Sequence, residues 1–235
     1  MASLNARCPA PHDLLWLAEP RHSLRGVALP DWVSLAALRT MPLVVRRDAR
    51  RSDAIPVGLR GLTRAERFGT WIACADVDRV LTPADIVASR AWRRPELAML
   101  AAIRTLDAAA DALDAQRIRW GVGGSAGFTL ASGINVLHAQ SDLDLLVYAD
   151  HPLPQADVEL LATLQDAGPT RIDIQVDTPH GGFSFLEWRR KRGKVLLKTR
   201  WGQGCAPTRG TPRHERTADV SGAGFAAGRH AGGSA

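Results

Sequence analysis

Seven residues, Arg171 to Asp177, alternate without exception between polar and apolar side chains. Ile172, Ile174 and Val176 point one way; Arg171, Asp173, Gln175 and Asp177 point the other. Of the regular structures only a β-strand has a side-chain period of two, so the segment predicts a strand with one buried and one polar face. Such a strand needs neighbours, and the flanking sequence supplies them. Residues 143–148, 118–122 and 195–199 read as further strands. Between and before them lie helical patterns. Leu97, Leu100, Ile103, Leu106 and Ala110 recur at three- and four-residue spacing after Pro95, in a helix ending near Gln116. Residues 126–131 form a short helix stopped by Gly133, and residues 154–167 one closed by Gly168-Pro169. This alternation predicts an α/β or α+β domain from about residue 90 to 201, and we take the α+β form, a mixed sheet flanked by helices.

The chain before it has another texture. Short apolar runs, Leu14-Leu15-Trp16-Leu17, Leu43-Val44-Val45 and Ile55-Pro56-Val57-Gly58-Leu59, are punctuated by Pro42 and Pro56 and read as short strands or strand edges. Residues 30–39 predict one helix with Asp31 in its first turn, and Thr82-Pro83 predicts a helix start with Thr82 as N-cap. The expected organisation is therefore a small mixed N-terminal domain over residues 1–85, binding substrate or carrier, and a catalytic domain over 86–201. A tail over 202–235 follows. Eight of its 34 residues are Gly, and Val220 and Phe225 are its only large aliphatic or aromatic side chains, so disorder is expected there.

Composition narrows the function classes. With 46% hydrophobic and 23% charged residues, and no run of about 18 apolar residues, the chain reads as a soluble globular protein. The N-terminus has no apolar h-region, and the three cysteines, Cys8, Cys74 and Cys205, have neither disulfide-framework nor zinc-site spacing; a cytoplasmic location is expected. The net charge of +6 points to an anionic partner: nucleic acid, a phosphorylated small molecule or an acidic protein.

Three short stretches carry chemistry. Asp142 and Asp144 are two apart, so on a strand their carboxylates share a face and repel unless a cation neutralises them. Magnesium takes hard oxygen ligands, commonly one or two carboxylates together with substrate phosphates. Asp173 would add a third carboxylate from a neighbouring strand, completing a clamp for in-line phosphoryl transfer. Gly123-Gly124-Ser125 supplies the phosphate side: small residues for close backbone approach, a following helix N-terminus and a hydroxyl. Each piece alone has an ordinary reading as a solvated strand face or a plain turn. Together, with sixteen residues between Ser125 and Asp142, they match the polymerase-β-like nucleotidyltransferase pattern.

A more specific likeness covers residues 11 to 201. It rests on Pro11-His12-Asp13-Leu14-Leu15-Trp16 and on Ile55-Pro56-Val57-Gly58-Leu59-Arg60-Gly61 with Arg64 and Arg67. It continues through Trp120-Gly121 to Phe128, Ser141-Asp142-Leu143-Asp144-Leu145-Leu146, Asp173-Ile174-Gln175-Val176, Gly181-Gly182-Phe183, Glu187-Trp188 and residues 195–199. The chain resembles the malonate decarboxylase holo-acyl-carrier-protein synthases, or phosphoribosyl-dephospho-CoA transferases. The resemblance implies that a serine of the decarboxylase's acyl carrier protein subunit attacks the α-phosphate of 2'-(5''-triphosphoribosyl)-3'-dephospho-CoA, with Mg2+ as cofactor and pyrophosphate leaving. It implies Asp142 and Asp144 as catalytic and metal-binding residues and Gly124-Ser125 as the phosphate-holding turn. Asp173 as third carboxylate is an inference from the wider superfamily.

Other features are weighed beside it. Arg60, Arg64 and Arg67, three or four apart, would form one basic face on a helix, either contacting the substrate or simply solvated. Arg189-Arg190-Lys191-Arg192 reads equally as a carrier-docking block or an exposed turn. His12 is expected to be structural, and Trp16, Trp32, Trp71 and Trp92 to be core. After Trp201-Gly202 the chain departs from the family's Gly-Pro and Asp-Pro-Trp-containing ending, with a composition like GC-rich DNA read in another frame. Two rival readings stay open. One is a nucleotidyltransferase with another acceptor, such as tRNA, a small molecule or the citrate lyase carrier. The other is a basic nucleotide-binding protein without activity.

Overall fold

The computed structural model describes residues 9–48, 51–166, 170–191, 194–198 and 217–219. The first half of the chain folds into an antiparallel sheet of β1 (Leu14–Leu17), β2 (Leu43–Val45), β3 (Ala54–Arg60), β4 (Arg67–Ala73) and β5 (Val77–Leu81), in the order β4-β3-β2-β1-β5. A one-turn helix α1 (Pro20–Ser23) follows β1. Residues 30–39 are not the expected helix: turns lead to a single 3-10 turn at Ala37–Arg39. Trp32, Val33 and Leu35 pack with the buried Leu38 on the core of the first sheet, a set that one helical face would not present together, and Ser34 Oγ takes the Ala37 N–H at 3.3 Å.

Helix α2 (Pro83–Ser89) begins as its sequence predicts. Thr82 accepts the Asp85 N–H, Asp85 returns a bond to the Thr82 N–H, and Pro83 occupies the first turn. The long helix α3 spans Ala101–Ala115 and buries Ile103, Leu106, Ala110 and Leu113. Its start is later than the periodicity suggests, because Pro95–Leu97 forms a separate 3-10 turn. The second sheet, β6-β7-β8-β9, comprises β6 (Trp120–Val122), β7 (Leu143–Tyr148), β8 (Ile172–Thr178) and β9 (Gly181–Ser184). Only β7 and β8 are parallel. Helices α4 (Gly124–Ser132), α5 (Gln155–Asp166) and α6 (Phe185–Arg190) complete this α+β unit. Residues 194–196 form a short strand β10, pairing with β11 (Thr217–Asp219). The rest of the expected tail, and the atypical ending, lie outside the described residues.

Strand β1 joins the halves. Its alternation sends Leu14 and Trp16 into the large core of α2, α3 and the second sheet, and Leu15 and Leu17 into the core of the first sheet. A strand buried on both faces is continuously apolar, which is what Leu-Leu-Trp-Leu supplies. An ion pair adds a second tie. Arg47, just after β2, meets Asp177 of β8 at 3.2 Å, with only 14% and 10% of the two side chains exposed. Among the described residues, no helix is long and apolar enough to cross a membrane.

Candidate active site

The carboxylates are set by strand register. Asp144 on β7 and Asp173 on β8 are direct parallel partners, each facing away from the buried Leu143–Ile172 and Leu145–Ile174 pairs. Asp142 precedes β7, in a turn closed by two bonds between Ser141 and His138: Ser141 N–H to the His138 carbonyl and His138 N–H to Ser141 Oγ, both 3.0 Å. The Asp144 carboxyl is pushed up to about 6, first by burial and then by the negative charges of Asp173 and Asp142, while Arg67 and Arg60 pull it the other way. Three acids and two arginines thus share one electrostatic neighbourhood. Among the described residues, no three acidic, His or Cys side chains are gathered tightly enough to hold a metal unaided.

The glycine turn abuts this acid. Gly124 has φ +56, and a Cβ there would stand 1.7 Å from Asp144 Oδ2. Only glycine lets the chain enter α4 over the carboxylate. The Gly123 N–H is spent on the Asp144 carbonyl at 3.0 Å, so it serves the architecture rather than a phosphate. Gly124 and Ser125 open the first turn of α4, where N–H groups lack intrahelical acceptors and the helix dipole favours anions. Ser125 Oγ accepts a bond from Arg60 Nη2 at 2.9 Å.

That bond spans the two halves. Arg60 ends β3 and is 7% exposed, with its Nε buried and without a hydrogen-bond partner among the described residues. Burial, then the nearby Arg67, lowers it to about 10, against a raising effect from Asp144; it remains a cation at neutral pH. Its guanidinium also lies over the Phe128 ring, 5.5 Å from the centroid. Arg60, Arg64 and Arg67 do not share a helical face. Residues 61–66 make a hairpin loop, braced by Thr63 N–H to Glu66 Oε2 at 2.9 Å, and Arg67 returns on β4 directly opposite Arg60. Arg64 is left exposed at the loop, away from the cavity, while Arg60 and Arg67 line it. The alternation of Phe68, Thr70 and Ile72 is the sequence signal that could have found β4.

Asp144, the Gly123-Gly124 turn, Arg60 and Arg67 border one cleft of about 370 Å³, its walls otherwise largely apolar; Asp142 and Asp173 neighbour Asp144 and do not line it. His12 reaches its far end with φ +76; burial and then Arg47 lower its imidazole to about 4, against Asp177. Trp16 and Trp92 are buried as expected, whereas Trp32 and Trp71 are half-buried, Trp71 beneath Arg51 at 4.0 Å. In the basic block, Arg189 pairs with Asp166 at 3.1 Å and Lys191 with Glu187 at 2.6 Å; Arg192 lies outside the described residues.

The comparisons with known proteins agree over most of the chain. Residues 10–83 match the phosphoribosyl-dephospho-CoA transferase MdcG N-terminal domain and residues 87–208 the corresponding C-terminal domain. Proteins named phosphoribosyl-dephospho-CoA transferase are similar throughout. The one from Pseudomonas putida (strain W619) is 39% identical over 83% of this chain and 91% of its own length. That of Klebsiella pneumoniae (strain 342) is 40% identical over 88% and 97%, and that of Pseudomonas aeruginosa 39% over 81% and 88%. No solved structure gives a significant match. With both halves matched and identity near two fifths, the chain belongs to the phosphoribosyl-dephospho-CoA transferase family and is a transferase.

Proposed function

We propose that this protein moves the 2'-(5''-phosphoribosyl)-3'-dephospho-CoA group from its triphosphate precursor to a serine of the malonate decarboxylase acyl carrier protein subunit. The observation that carries the reading is the two-sided cleft: Asp144 on one wall with Asp173 as its register partner, Arg60 and Arg67 in register on the other, and the Gly124-Ser125 turn touching Asp144 and Arg60. A nucleotide triphosphate needs both sides, cations for its phosphates and carboxylates for the ion that accompanies them.

The donor set fits magnesium. Its oxygens are hard, and Asp144 is raised by burial and then by its acidic neighbours, a penalty on the charged form that a bound cation relieves. Asp142 and Asp144, with Asp173 beside them, would hold Mg2+, which supplies charge neutralisation for the phosphates. The protein's own groups do the rest. Arg60 and Arg67 offset charge on the triphosphate, and the first turn of α4 offers N–H donors to its oxygens. The cleft walls hold the α-phosphate open to the incoming serine. The serine Oγ–P bond forms as the bond to the β-phosphate oxygen breaks; pyrophosphate departs with that electron pair, and the serine hydroxyl proton passes to solvent. The reaction is placed in the cytoplasm, where malonate decarboxylase and its carrier would meet the enzyme.

Intact-mass spectrometry of the apo carrier subunit, incubated with this protein, the triphosphate donor and Mg2+, tests the reading. The expected gain equals phosphoribosyl-dephospho-CoA and disappears with chelator. An Asp144→Ala variant should lose at least about a hundredfold in rate, roughly 2.7 kcal/mol of transition-state stabilisation. A folded protein that modifies the citrate lyase carrier instead would replace the acceptor; one that modifies neither carrier would sink the proposal.

A further inference from the structure

The cationic wall of the cleft extends beyond Arg60 and Arg67. One residue pair along the same face of the hairpin, Gly58 and Gly69 stand opposite each other, and both line the cavity. Strand spacing puts this pair about 7 Å from the Arg60–Arg67 pair. What the two glycines provide is the absence of a Cβ. On Gly69 a Cβ would stand 2.1 Å from Arg46 Nη1, and on Gly58 3.3 Å from Arg46 Cδ. The Arg46 side chain therefore lies along a flat shelf made by β3 and β4. Its guanidinium is steadied by Asp48 at 3.1 Å, and its side chain is 40% exposed where it borders the cavity. That is its one side-chain hydrogen bond among the described residues, and a guanidinium has five N–H donors.

A surface ion pair needs no such shelf; a guanidinium held flat, with donors to spare beside a cleft, is suited to bind an anion. The planar fork of arginine matches phosphate oxygens two at a time. We propose that Arg46 on the Gly58–Gly69 shelf forms a second anion site, which binds the diphosphate joining the nucleoside to the pantetheine arm of the donor. This rests on the donor proposed above. That molecule carries two polyanions, a triphosphate and a diphosphate, separated by two linked riboses. The cleft offers two cationic stations, Arg60–Arg67 beside the carboxylates and Arg46 beyond them. The cleft that both stations share is also lined by Leu14, Val44 and Leu146, walls that suit a nucleoside better than further phosphate.

Calorimetric titration of the full chain with two probes, dephospho-CoA and inorganic tripolyphosphate, separates the stations. Arg46→Gln should weaken dephospho-CoA at least about tenfold, since a charge-assisted bond is typically worth that much, and leave tripolyphosphate within about twofold. Arg67→Gln should show the reverse preference. Gly69→Ala keeps every charge but drives the guanidinium off its shelf, and should reproduce the Arg46→Gln result in a folded protein. Wild-type protein that does not bind dephospho-CoA overturns the inference, as does an Arg46→Gln variant that weakens both probes equally or neither. No acceptor is involved, so a failed transfer assay leaves these titrations readable. A transfer-competent protein whose dephospho-CoA affinity ignores Arg46 loses this inference alone.

Discussion

Gly124 shows how little room a single position leaves. Its backbone lies in the left-handed region, and a Cβ would occupy the space of the Asp144 carboxylate. Gly124→Ala should cost roughly 1–3 kcal/mol in urea unfolding, through backbone strain and displacement of the acid. Transfer should fall further than stability does, and an unchanged turnover in a folded variant would contradict the placement of Asp144. His12 governs a different property. Its imidazole is depressed to about 4 from an ordinary 6.5, so the unfolded chain takes up a proton that the native state resists. The stability held by keeping it neutral is complete above about pH 6.5 and is lost as pH falls toward 4. Between pH 7.5 and 5 the loss is roughly 2 kcal/mol. His12→Asn, whose side chain tolerates positive φ, should flatten that slope; urea midpoints at the two pH values would show whether it does.

Among the elements, the β3–β4 hairpin decides which cations reach the site. Strand pairing sets Arg60 against Arg67 and leaves Arg64 on the loop. Arg67→Ala should raise the donor KM by about tenfold or more, the worth of one charge-assisted contact, whereas Arg64→Ala should stay within about twofold. Equal effects would mean that the loop folds over the cleft in solution. The tie between β2 and β8 is energetic as well as geometric. Asp177→Ala strips a largely buried Arg47 of its carboxylate, and the expected loss is near 3 kcal/mol, the low end for breaking a buried pair. Replacing Arg47 by Met in the same chain should restore part of it. A single-variant loss below about 1 kcal/mol would reduce the pair to an ordinary surface bridge.

At the scale of the whole molecule, the net charge of +6 concerns encounter more than fold. With an acidic carrier subunit, kcat/KM should fall several-fold between about 50 and 500 mM salt while kcat holds, because screening slows association first. A salt-independent kcat/KM would place recognition in apolar contacts. Local pattern made much of the architecture legible. Residues 171–177 declare themselves through a period of two, 143–148 through a short apolar run and the start of α2 through Thr82-Pro83, since those signals depend only on neighbours in sequence. The acids and the Gly-Ser turn are legible for the same reason, short spacing within one strand or one helix start. The helix expected at 30–39 fails because Trp32, Val33, Leu35 and Leu38 would not share one helical face, yet all four pack on the core of the first sheet. The basic face that Arg60, Arg64 and Arg67 would share on a helix is not formed, because β4 pairs its backbone with β3. Arg46 is invisible in sequence as a site residue, and which of Arg60, Arg64 and Arg67 line the cleft is undecided there, since these positions follow from two facing glycines eleven residues apart and from register across the hairpin. The sequence by itself determined the strands, the caps and the acid-bearing motif, each a matter of near neighbours. Only the tertiary structure decided which arginines face those acids, because pairing between distant segments is settled by the burial of their other faces.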